Sequence, residues 1–316
     1  MSHPGLLPAN KANGRRCFSL PDGPAAFPNL RTRRMCMKTR LFVPTFLLPL
    51  FTLACMAAGS ALAAEWKNLD EAIQKRGTLR IGLGFATPPM NFLNDQGEPD
   101  GFDADLARAL AAKMGLRHEI IKVNDKTRIT SLVSGETDMV LSNMNHTMSR
   151  DAQIDFSDTY LNDGKRILAE KGRYRELKDF VGKRIAISQG SNAQQAVAAA
   201  LKKLGDPEPK VLSFQNNAEC FLALKAGKVD GYTNDTIILA GVSGGDPAYE
   251  PVGEVYSPTY YGIGVPQNQS AWRDRVNAAL RTMLIDGSYQ KIYDKWFGEK
   301  GRYPLPPAPP LPIWAE

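Results

Sequence analysis

From Leu79 onward the chain alternates two hydrophobic periods, and this limits it to few architectures. Leu79-x-Ile81-x-Leu83 repeats every second residue, as a half-buried strand does, whereas Leu106, Leu110 and Met114 recur at helical spacing. Ile185-x-Ile187 opens another strand. Val197, Leu201 and Leu204 mark another helix, and Val276, Leu280, Met283 and Leu284 a further one near the end. Alternating strands and helices predict an α/β fold, with mostly parallel sheets under helical cover. Asp103 and Ser191 are placed to cap two of the helices, and Gly115 and Gly205 to stop them. The ending YPLPPAPPLPIWAE is too proline-dense for a helix or a central strand. Residues 301–316 are therefore expected to run as an extended tail, with Trp314 available to pack.

A leader precedes this pattern. No residue from Leu41 to Ala64 is charged, Lys38 and Arg40 stand before the run, and Ala61-Leu62-Ala63 closes it with small residues at the spacing of a signal-peptidase site. Residues 1–63 read as a leader with a signal peptide, its start at Met37, that exports the chain. A retained membrane anchor is the alternative, although Pro44 and Pro49 interrupt the run. Thr52-Leu53-Ala54-Cys55 resembles a lipoprotein cleavage box, with Thr a poor residue three before the cysteine. Lipid anchoring at Cys55 is the lesser reading.

The formal charge of +6 belongs to that leader, which holds eight Lys/Arg and one acid. After Ala63 there are 31 basic and 32 acidic residues, so nothing suggests nucleic acid or an anionic membrane as a partner. Of four cysteines only Cys220 lies beyond the leader. It sits in a helix-like run, NAECFLALKAG, and reads as a small core residue rather than a nucleophile. No Cys/His cluster has metal-ligand spacing, so neither metal nor cofactor is expected.

The chemistry concentrates in Ile129–Asp158, ITSLVSGETDMVLSNMNHTMSRDAQIDFSD. A helix-like run ends at Gly135, a short strand follows, and the strand opens into a polar loop carrying one arginine, Arg150. In open α/β sheets ligands sit beyond the carboxyl ends of strands. A guanidinium among small polar side chains suits a carboxylate, while a solvated surface turn is the plain alternative. LVSGETDMVLSN (132–143) is echoed by LKAGKVDGYTND (224–235), with Leu, Gly and Asp at matching positions. Two such units facing each other would set Arg150 opposite Asp235, a cation and an anion for the two ends of an amino-acid zwitterion. A structural ion pair or a capping role for Asp235 is the alternative.

At this point the motifs resemble a family. GFDADLARALAAKMG, RITSLVSGETDMVLSNM, TMSRDAQIDFSDTY, ALKAGKVDGYTNDTIILAG and SYQKIYDKWFG, in this order from Leu79 to Phe297, resemble the family 3 solute-binding proteins of bacterial ABC importers. The resemblance implies a two-lobed periplasmic binding protein-like fold of type II, with hinge crossings near Asp163–Arg166 and Pro258–Gly262. Lobe 1 would be 66–162 plus 263–300, and lobe 2 would be 163–262. It implies a monomer that captures a polar amino acid and hands it to an ABC permease in the inner membrane. By resemblance, Arg150 takes the α-carboxylate with Asn143 and Asn145. Thr147 shapes the loop or touches the ligand, Asp235 receives the α-ammonium, and Ser191 and Asn192 supply second-lobe carboxylate contacts. The sequence departs from the family where aromatics often sandwich the ligand: Met90 and Asp125 stand there, with Phe85 a partial substitute. Asp125 would favour a polar or cationic side chain if it faced the cleft, with a solvated residue at a helix start as the plainer reading, whereas the LPIWAE ending and NDTIILAG resemble members that take glutamate or aspartate, so no single amino acid is singled out.

The alternative is an enzyme on the same fold. Cyclohexadienyl dehydratases resemble this chain but carry a glutamate just after the equivalent of Gly190-Ser191-Asn192, where this chain has Ala193. Alanine cannot act as a general acid. His146 on its loop reads as a spectator, and the expectation is a binder without chemistry.

Overall fold

The computed structural model describes residues 68–305. The leader, with its signal-peptide and Cys55 expectations, and the tail beyond Leu305, with Trp314, lie outside the described residues.

Helix α1 (Leu69–Arg76) leads into strand β1 (Thr78–Leu83). Strands β2 (Ala86–Thr87), β3 (Asn91–Leu93) and β4 (Pro99–Asp100) form a small antiparallel sheet. Then come α2 (Phe102–Lys113), β5 (Arg117–Lys122), α3 (Arg128–Val133), β6 (Met139–Val140) and the single turn α4 (Met148–Asp151). A long strand, β7 (Ile154–Glu170), carries the chain to β8 (Arg184–Ser188), α5 (Ala193–Lys203), β9 (Lys210–Phe214), α6 (Asn217–Lys225), β10 (Gly231–Asp235) and α7 (Thr236–Ser243). A second long strand, β11 (Tyr249–Pro266), returns it to α8 (Ser270–Ile285) and α9 (Ser288–Phe297).

The large sheet has the order β5-β1-β6-β11-β7-β10-β8-β9. The expected parallel pairs are its flanks, β5-β1-β6 on one side and β10-β8-β9 on the other. Its centre is antiparallel, because β7 leaves one flank and β11 comes back beside it. The expectation of mostly parallel sheets therefore holds at the edges and fails in the middle. A chain that crosses between two halves and returns must run antiparallel to itself. Their register shifts between Val252 and Ser257 and again between Tyr261 and Gly264.

Each flank has its own core. Leu79, Ile81 and Leu83 of β1 pack with Leu106 and Leu110 of α2, and with Trp272, Val276 and Leu280 of α8, all fully buried. The last two helices thus complete the first flank, as the Val276–Leu284 stripe requires. On the far side Ile185 and Ile187 of β8 pack on Val197 and Leu201 of α5, and Cys220 of α6 is buried beside Tyr232. Fully burying one such aliphatic side chain contributes about 1.5–3 kcal/mol.

Two capping expectations are corrected. The residue capping α2 is Gly101, at φ +119, where a Cβ would meet the Met90 carbonyl oxygen at 2.3 Å. Asp103 instead lies in the first turn, fully buried, accepting from the Asn143 N–H (2.7 Å), Asn91 Nδ2 (2.8 Å) and the Tyr160 hydroxyl (2.9 Å). Burial outweighs those bonds and raises its pKa to about 6. The capping position of α5 is Asn192 rather than Ser191, although Ser191 Oγ still accepts from the Ala193 N–H (3.3 Å).

Candidate functional site

The polar loop after β6 is built around Asn143. It sits at φ +40, in the left-handed region that asparagine tolerates better than most residues. Its N–H is fixed by Asp103, and its Oδ1 accepts from Asn91 Nδ2 (3.1 Å). Thr147 then caps α4, its Oγ1 accepting from the Arg150 N–H (3.3 Å). This short turn aims Arg150 back under the loop. Thr147 itself faces a separate hollow with His146 and Met148.

Arg150 is 7 % exposed, yet it bonds only carbonyls: Asn145 O at 2.8 Å and, across the cleft, Gly190 O at 3.3 Å. It pairs with no carboxylate among the described residues. Burial first, and the like charge of Arg128 second, pull its pKa down to about 9. The group remains a cation at neutral pH, held where solvent compensates it poorly.

Asp235 ends β10 and opens α7. The register of β10 on β7 places it directly opposite Lys165. Lys165 Nζ lies 2.6 Å from Asp235 Oδ1, and both side chains are nearly inaccessible. The other oxygen accepts from the Tyr261 hydroxyl (2.6 Å) and Asn145 Nδ2 (3.0 Å). Burial works against the Asp235 carboxylate, but the Lys165 charge and these bonds hold its pKa below the ordinary value. Asp235 gives no side-chain cap to α7. Of the two roles left open for it by sequence, the structure displays the ion pair.

Asn145 is the junction. Its carbonyl receives Arg150, and its Nδ2 donates to Asp235 and, across the cleft, to Asn192 Oδ1 (3.3 Å). Ser188 Oγ to Asp125 Oδ2 (3.4 Å) and Asn217 Nδ2 to Thr87 Oγ1 (3.2 Å) tie the two sides together further along.

Between these ties is a cavity of about 320 Å³, bounded on one side by Phe85, Asn143 and Asp125 and on the other by Ser188, Gln189 and Asn217. Phe85 and Asn143 line it. Arg150, Asn145, Asp235, Ser191 and Asn192 cluster beside it, shut off by the cross-cleft bonds of Asn145 and Arg150. Asp125 faces the cavity, but its charge is already met by the buried Arg128, 3.0 Å away.

Sequence reasoning missed Lys165, Arg128, Asn91 and Tyr261. For Lys165 there was a signal: with period two it falls on the same strand face as Ile167 and Ala169, which are core residues. A lysine in line with core positions needs a buried partner. For Arg128, Leu132 one helical turn later gave a similar hint.

Two α/β flanks, two strands joining them and a polar cavity between them define a two-lobed binding protein of type II. The chain matches the bacterial extracellular solute-binding proteins, family 3, over residues 79–299, and it belongs to that family. It is 32 % identical over 266 residues to the ABC transporter glutamine-binding protein GlnH of Bacillus subtilis (strain 168), covering 80 % of this chain and 96 % of the relative. A solved ancestral arginine-binding protein bound to arginine is similar with a TM-score of 0.66 and 38 % identity, over 71 % of this chain and 99 % of that one. The ancestral amino acid-binding protein AncCDT-1, described as a precursor of cyclohexadienyl dehydratase, gives 0.65 and 32 %, over 72 % and 98 %.

Proposed function

We propose that the chain is the substrate-binding component of an ABC transporter, that it captures a polar amino acid outside the cytoplasmic membrane, and that it delivers the closed complex to a permease. The observation that carries this reading is Arg150: a buried guanidinium that meets carbonyl oxygens and, among the described residues, no anion, at the junction of two flanks. A guest carboxylate would displace the Gly190 carbonyl and take the fork in two parallel bonds. Asn145 bonds Arg150 and Asn192 there, Ser191 follows Gly190, Asn143 lines the adjoining cavity, and the start of α5 adds the positive end of a helix dipole. The family match and the relatives named for amino acids support the same reading.

In this reading the lobes are 66–162 plus 263–300, and 163–262, hinged where β7 and β11 pair around Gly164 and Pro258. A guest that touches both lobes favours the closed state, because only that state offers both sets of contacts. Micromolar affinity requires about 8 kcal/mol net, within reach of one charge-assisted fork and several hydrogen bonds in a desolvated cleft. The protein acts in the periplasm as a monomer, exported by its leader.

Capture proceeds without chemistry in this account. Ala193 is buried and offers no proton. His146 is stacked on Phe156 at 4.5 Å, and burial lowers its pKa. Thermal-shift screening of the purified protein against the twenty amino acids tests the reading, with a parallel assay for prephenate turnover. Stabilisation by a polar amino acid without turnover is expected, whereas turnover would replace transport by catalysis.

A further inference from the structure

The carboxylates bordering the cleft are all engaged by the chain's own donors. Asp235 is held by Lys165, Tyr261 and Asn145, and Asp125 by Arg128 and Ser188. Asp103 accepts three hydrogen bonds, and Asp163 accepts the Ile237 N–H (2.9 Å). Arg150 meets only carbonyls, and Lys122 and Lys126, both exposed on the cavity wall, are in no ion pair among the described residues. Lys122 Nζ stands 5.8 Å over the Phe85 ring, which lines the same cavity. An anionic group in the cavity would therefore meet Lys122 and Lys126 on its wall, with Arg150 beyond the cross-cleft bonds, whereas the carboxylates there are already engaged.

Among the described residues, two buried amide oxygens have no partner: Asn145 Oδ1 and Asn91 Oδ1. Their orientation is fixed by what the other end of each amide touches. Asn145 Nδ2 faces the acceptors Asp235 and Asn192, and Asn91 Nδ2 faces the acceptors Asp103 and Asn143. Flipping either amide would set oxygen against oxygen. Both free atoms are thus oxygens that call for a donor, and buried groups of this kind are costly unless a guest supplies one.

We infer that the site selects an acidic amino acid, a guest with two carboxylates and one ammonium, and that Lys165 determines this selectivity by occupying Asp235. This rests on the function proposed above. One carboxylate displaces the Gly190 carbonyl from Arg150 and the second meets Lys122 and Lys126 on the cavity wall, while the ammonium is received by neutral amide oxygens instead of a free carboxylate. Had Asp235 lacked Lys165, the site would carry one more uncompensated negative charge and would tolerate neutral or cationic guests. Specificity here is built as much from the missing anion as from the added cations.

Calorimetric titration with L-glutamate, L-aspartate, L-glutamine, L-arginine and glutarate tests this. At least one acidic amino acid binds ten times more tightly than L-glutamine, L-arginine gives no heat, and glutarate, lacking the ammonium, is weaker than L-glutamate. Tighter binding of L-glutamine or L-arginine overturns the inference and leaves amino-acid capture standing; no binding of any amino acid overturns both. In Lys122→Gln/Lys126→Gln, a pair of surface changes, the preference for the acidic guest over L-glutamine drops at least tenfold. In Lys165→Gln, if it folds, the same ratio drops because Asp235 is released. An unchanged ratio in the surface pair places the second carboxylate elsewhere and contradicts the assignment.

Discussion

Lys165 Nζ and Asp235 Oδ1 lie 2.6 Å apart, on paired residues of β7 and β10, with both side chains almost wholly withdrawn from solvent. Removing one partner of such a pair leaves the other buried and uncompensated, a loss of about 3–5 kcal/mol. Lys165→Met is expected to lower stability in urea denaturation by that amount, and Lys165→Met/Asp235→Asn to recover part of it. A single variant as stable as the parent would show that water reaches the pair.

Asp163 lies next to this pair. Burial, then the Asp235 charge, raises its pKa from 3.8 to about 7. The folded state therefore holds a proton that the unfolded chain releases at lower pH. The stability this proton confers is fully present below about pH 4 and is lost as pH rises through 7. Asp163→Asn keeps an acceptor for the Ile237 N–H and removes the titration. Its Tm relative to the parent should rise from pH 5 to pH 8, and a constant difference across that range would remove Asp163 as the source.

Gly241 in α7 approaches Pro88 so closely that a Cβ would meet the Pro88 carbonyl oxygen at 2.1 Å. These residues belong to opposite sides of the cleft, so Gly241→Ala is expected to hold the sides apart while each keeps its own core. Scattering should report a more open molecule, and ligand affinity should fall at least tenfold, about 1.4 kcal/mol. Unchanged affinity would mean that binding does not require this approach.

Cys220 is fully buried, and burial pushes its thiol up to about 12. A thiol kept protonated reacts slowly. Labelling by a thiol reagent should be negligible in the folded protein and complete in denaturant. Rapid labelling under native conditions would contradict its place in the core.

Much of this was legible in the sequence because local signals and fold agreed. The Leu79–Leu83 alternation and the Val276–Leu284 stripe became β1 and α8 of one core, and Gly135, at φ +75, ends the segment after α3. What stayed hidden depends on distant pairing. Asp103 has the sequence look of a helix cap, but Asn143, forty residues on, claims it from inside. Period two puts Lys165 in line with core positions, but its partner Asp235 is named only when β10 pairs with β7. Asp125 reads as a solvated residue at a helix start or as a contact for a polar or cationic guest, and only the fold shows Arg128 neutralising it. Spacing along the chain shows which residues can share a face, whereas charge compensation is settled only by the fold.

The most direct test of the account is calorimetric titration of Arg150→Met with the amino acid that binds the parent protein. Removing a buried cation that has no anion should leave the unliganded Tm unchanged or raised, while affinity falls at least a hundredfold, about 2.7 kcal/mol. An affinity within threefold of the parent would show that the guest's carboxylate is held somewhere else.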